Sequence, residues 1–93
     1  MQVEPELARL RGRYLEHLGR LRRVLEAKYP DKRDRVSAVC DTLRSSIENL
    51  RHSNLADYLL LLYRLSREFP ELVELVPTGR EVELILRYGR GVR

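Results

Sequence analysis

One cysteine, Cys40, is all the chain has in 93 residues. A lone thiol closes no internal disulfide and builds no zinc cage, so the fold must hold by packing, as suits a reducing cytoplasm. Long apolar runs are also missing. The longest is Tyr58–Tyr63, far short of the roughly twenty residues that a spanning helix needs. Charge begins at Glu4 with no apolar stretch behind it, so no secretory leader is expected. These absences predict a cytoplasmic protein with no membrane partner.

Amide and sulfur side chains are scarce: Gln2, Asn49, Asn54, Cys40 and Met1 are all of them. Few thermolabile residues among many charges fit a thermophile, and a GC-rich genome would favour arginine equally. Catalytic constellations are missing too. His17 and His52 have no histidine, cysteine or acid at ligand spacing, Ser45 and Ser46 have no nearby base, and no glycine-rich phosphate loop opens a helix. No catalytic residue, metal or cofactor is expected, and the chain does not read as an enzyme.

Lysine is the last scarcity, and it points to what is abundant. Of eighteen basic residues only Lys28 and Lys32 are lysine; the other sixteen are arginine. A planar guanidinium holds phosphate or carboxylate through paired hydrogen bonds and stacks on rings or bases. Ten basic residues lie between Arg9 and Arg35 against four acids, a local surplus of six. Residues 36–79 carry four basic groups against six acids, and residues 80–93 four against two. The positive charge thus sits at both ends of the chain. A concentrated positive field is the footprint of a polyanion partner.

Ninety-three residues, 43% of them apolar, predict one small domain with one core. Leu7, Leu10, Tyr14, Leu18, Leu21 and Leu25 recur at spacings of 3, 4, 4, 3 and 4, the helical period. That helix runs from about Pro5 to Lys28 and stops at Tyr29-Pro30. Ala8, Gly12 and Gly19 line a separate strip of it. Interior glycines cost about 0.8–1.0 kcal/mol each relative to alanine, so a close neighbour is expected there: a helix of this chain or of a second copy, or a phosphate backbone. Asp31 is placed to cap a second helix carrying Val36, Val39, Leu43, Ile47 and Leu50 and ending near Arg51 or His52. Ser53 or Asn54 would cap a third, Leu55 to Glu68. That segment is apolar around more than half its circumference, and so is expected at the centre of the core or of a core shared between subunits.

After Pro70 the pattern changes. Leu72–Val76 and Glu81–Tyr88 flank Pro77-Thr78-Gly79-Arg80, and Val82, Leu84, Leu86 and Tyr88 alternate with Glu81, Glu83 and Arg87. Period two predicts a β-hairpin; two short helices are the competing reading, because Val82, Ile85 and Leu86 also fit a helical face. The run Leu72–Leu84 resembles the strand–wing–strand end of winged-helix DNA-binding domains, with a helix before it. The likeness stops there: Leu55–Glu68, in the recognition position, is too apolar to face a groove, and the second helix is too long. Only the shape is carried forward. The expected fold is mainly α, a three-helix bundle with a C-terminal β-hairpin over residues 1–88 and a flexible basic tail over 89–93.

The functional expectation follows charge placement. A small basic protein would bind DNA or RNA with little sequence preference. Phosphate contacts would come from Arg9, Arg11, Arg13, Arg20, Arg22, Arg23, Arg33, Arg35, Arg90 and Arg93, with Tyr88 stacking on a base. The competing expectation is that these arginines merely solubilise the helix through pairs such as Glu16–Arg20 and Glu26–Arg22. The alternative function is a helical interaction module, a homo-oligomer or small subunit, docking through Ala8, Gly12, Gly19, Leu60, Leu61 and Tyr63.

Overall fold

The computed structural model describes residues 4–88, and the side chains of 5–87. Helix α1 spans Glu4–Lys28, α2 Arg33–Glu48, α3 Leu55–Glu68 and α4 Gly79–Tyr88. Short 3-10 turns at Pro30–Lys32, His52–Asn54 and Pro70–Leu75 connect them. The first three helices follow their apolar stripes. Helix α1 ends one residue before Tyr29-Pro30, where the proline ring disfavours helical angles.

Helix α1 is the spine. All six residues of its stripe are buried, from Leu7 at 0% exposure to Tyr14 at 7%. Helix α2 returns along it antiparallel: Arg11 reaches Leu50 at one end and Arg22 reaches Ser37 at the other. The tail comes back along another side, pairing Lys28 with Glu71, His17 with Glu74 and Tyr14 with Glu81. Val36, Val39, Cys40, Leu43 and Ile47 of α2 complete one seam; Phe69, Leu72, Leu75 and Ile85 complete the other. Each fully buried Leu, Ile or Phe contributes about 1.5–3 kcal/mol of transfer free energy.

Three expectations are corrected here. The β-hairpin is absent: no strand occurs among the described residues, and both of its arms are helical. Pro70–Leu75 is a 3-10 turn in which residues three apart share a face. Leu72 and Leu75 point into the core while Val73 and Val76 face outward. Helix α4 buries Ile85 completely and leaves Leu86 39% exposed, the reverse of what a strand's alternation requires. Its start is fixed by a reciprocal cap: the Glu81 N–H donates to Thr78 Oγ1 at 3.2 Å, and the Thr78 N–H donates to Glu81 Oε1 at 3.0 Å. The fold is therefore all-α with short C-terminal helical pieces, and the winged-helix shape goes with the hairpin.

The second correction concerns α3. It is not the centre of the core. Only Leu55, Tyr58 and Leu62 are buried on it, and the Tyr58 hydroxyl donates to the Leu75 carbonyl at 3.1 Å. Packing is one-sided because the 3-10 turn Pro70–Leu75 covers one flank and, among the described residues, nothing covers the opposite face. Capping differs as well. Asp31 lies inside a 3-10 turn and α2 starts after Lys32 with no side-chain cap bond. Helix α2 stops at Glu48 because the loop Asn49–Asn54 ties itself together: Asn54 Oδ1 accepts from the Arg51 N–H at 2.7 Å, and Asn54 Nδ2 donates to the Asn49 carbonyl at 2.7 Å.

Candidate nucleic-acid interface

Helix α1 turns about 100° per residue. Arg9, Arg13, Arg20 and Arg23 therefore fall within a sector of about 80°, opposite the buried leucine stripe, along about 21 Å of axis. All four are exposed. Among the described residues, Arg9, Arg20 and Arg23 have no carboxylate partner. Arg13 is 3.6 Å from Glu81 Oε2 and its side chain stays 66% exposed. Glu16, the acid within this sector, forms no ion pair with Arg20, so the expected Glu16–Arg20 pair is not made.

Three of the remaining expected contacts, Arg11, Arg22 and Arg35, are engaged elsewhere. Arg11 Nε donates to the Leu50 carbonyl at 2.9 Å, tying α1 to the end of α2. Arg22 is 3.2 Å from Glu26 and 3.8 Å from Asp41, and donates to Ser37 Oγ at 3.1 Å. Arg35 grips Glu68 through two nitrogens at 3.0 and 2.9 Å. That grip holds the Glu68 carboxyl below the usual carboxylate range. Lys28 donates to Glu71 at 2.6 Å and does the same there. Arg33 is exposed at the start of α2, on a shallow hollow lined also by Asp31, Lys32 and Glu68. The Tyr88 side chain, Arg90 and Arg93 lie outside the described residues.

The small strip is bare. A Cβ built on Gly12 or on Gly19 meets no atom within 4 Å, and Ala8 is exposed. No described helix fills the role expected for these glycines. They border the arginine row instead. Of the residues expected at a protein interface, Leu60 is 50% and Tyr63 63% exposed, whereas Leu61 is half-buried against the core.

Glu81 is the residue that sequence reasoning missed. It accepts the Tyr14 hydroxyl at 2.7 Å, caps α4 and faces Arg13. Burial first, and this bond second, push the Tyr14 phenol far above its ordinary value. The signal was present as Thr78-x-x-Glu81, the spacing of a capping box. Cys40 is buried on α2, and burial raises its thiol. Among the described residues no group of three or more His, Cys, Asp or Glu could hold a metal ion. No described helix is long and apolar enough to cross a membrane. No family model matches the chain, nor does any curated protein or solved structure.

Proposed function

We propose that the protein binds nucleic acid through the outer face of α1, with Arg9, Arg13, Arg20 and Arg23 on phosphates. The observation that supports this is the row itself. Three exposed guanidinium groups without carboxylate partners among the described residues, and a fourth held only loosely, face solvent on one side of a single helix. Guanidinium–phosphate pairs are the strong, geometrically specific kind. Bare glycine positions beside the row let a sugar–phosphate backbone come close to the helix. Contacts of this type position a duplex or a single strand without reading its bases, so binding is largely independent of sequence. The reading assigns no reaction to the protein.

Four phosphate contacts predict a log–log salt slope of about −3 to −4 and an affinity of roughly 10⁻⁴ to 10⁻⁶ M at physiological salt. Fluorescence anisotropy with single- and double-stranded oligonucleotides at two salt concentrations measures both. Arg20→Gln and Arg23→Gln should each reduce the slope by about one. Arg35→Gln, whose guanidinium is taken up by Glu68, should leave it unchanged. No binding at low salt, or an equal effect of all three substitutions, would remove the proposal.

A further inference from the structure

Helix α3 has a second apolar face that none of the described residues covers. Opposite the buried Leu55, Tyr58 and Leu62 runs the row Ala56, Leu60, Tyr63 and Arg67, spaced 4, 3 and 4, the seam spacing of paired helices. Leu60 and Tyr63, at its middle, are half or more exposed. The Arg67 guanidinium lies over the Tyr63 ring, 5.9 Å from its centroid. Along one edge of the row stand Asp57 and Arg64, seven residues apart and of opposite sign. Neither has an ion-pair partner among the described residues. The other edge, Leu59 and Ser66, carries no charge.

We infer that this face of α3 docks against the same face of a second copy of this chain, antiparallel. A two-fold axis midway between Leu60 and Tyr63 sets Leu60 of one copy on Tyr63 of the other, and the reverse. The charged edges then face each other, and Asp57 of each copy meets Arg64 of its mate, giving two symmetric pairs. A parallel arrangement would set the charged edge against the uncharged one and leave all four groups unmatched. The surface is thus complementary to itself in one orientation, as a closed two-fold dimer requires. The contact is a 14-residue helix, about 21 Å long, so it falls below the standard interface size and the association is weak. It uses none of the α1 arginines and stands apart from the nucleic-acid reading.

Sedimentation of the full chain from about 10 μM to about 1 mM tests this. A dimer should appear as concentration rises, and Leu60→Glu should abolish it. Asp57→Arg alone and Arg64→Asp alone should each shift the chain to monomer, because each sets like charges together twice. An equimolar mixture of the two variants should recover a dimer, since every pair is then opposite in sign. Both positions are exposed, and unchanged helical circular dichroism would show that the variants fold. A monomer at every concentration, a dimer indifferent to Leu60→Glu, or folded single variants whose mixture fails to recover would each overturn the inference.

Discussion

Replacing Gly12 and Gly19 with alanine should stabilise this protein, although both glycines lie in the middle of its longest helix. Sequence alone suggests the opposite, because a tolerated interior glycine usually marks a close approach that a methyl group would block. The structure reverses the sign. An added Cβ at either position meets nothing within 4 Å, so no clash offsets the gain in helix propensity. Each substitution should then contribute about 0.8–1.0 kcal/mol, and the two together somewhat under 2 kcal/mol. The sites are seven residues apart, about 10 Å along the axis, and share no contact, so they should add. At about 4–8 °C per kcal/mol for a domain of this size, the double variant should melt roughly 6–16 °C higher. Thermal and urea unfolding followed by circular dichroism, at a concentration where the chain is monomeric, read the change. A double variant no more stable than the parent would mean that these glycines are covered, and that the bare outer face of α1 on which the nucleic-acid proposal rests is wrong.

Thr78→Ala should remove the oxygen that accepts the Glu81 N–H and cost about 1 kcal/mol, seen as a melting temperature lower by roughly 4–8 °C. An unchanged melting temperature would show that α4 does not depend on this cap. Alkaline pH should unfold the protein early. Burial raises the Tyr14 and Tyr58 phenols well above the ordinary value of about 10, so above that pH the unfolded chain releases two protons that the folded chain keeps. Stability present below about pH 10 is therefore lost as pH rises. Tyrosinate absorbance should show these two phenols ionising only together with loss of helical signal; early ionisation of all the tyrosines with the helices intact would refute it.

Helices α1 and α2 were legible because their apolar residues recur at 3 and 4, and burial follows that spacing residue by residue from Leu7 to Ile47; α3 was legible as a helix, but its nearly continuous apolar run hid which three residues it buries. The tail was not, because Val82, Leu84 and Leu86 alternate while Val82 and Ile85 keep helical spacing. Over eight residues neither period outweighs the other. The capping pair Thr78 and Glu81 settles the matter in favour of a helix, and a two-arm hairpin without a third strand would have been marginal in any case. Capping of α2 by Asp31 failed for a related reason: Pro30 starts a 3-10 turn, which draws Asp31 inside it. Least legible was which basic side chains meet a carboxylate. Arg35 meets Glu68, Lys28 meets Glu71 and Arg13 meets Glu81, separations of 33, 43 and 68 residues that no local pattern encodes.

Those distant acids bear on the function. Glu71, Glu74 and Glu81 all come from the returning tail, and all reach α1 along the flank where that tail packs. Glu26 and Asp41 take up Arg22 on the flank where α2 packs. Carboxylates are thus supplied to α1 along its two packed edges. A surface kept only for solubility would mix both signs on the outer face as well. The outer face instead carries four arginines and Glu16, and Glu16 pairs with none of them. Side-chain entropy and solvent screening leave an exposed pair worth well under 1 kcal/mol, so its absence costs little stability. What the absence does is leave three guanidinium groups without a carboxylate partner among the described residues, and so open to an incoming phosphate. Glu16→Gln provides the corresponding test: by removing the one opposing charge in the row it should tighten oligonucleotide binding at low salt, and a variant that bound no better would argue that the phosphates lie elsewhere on the molecule.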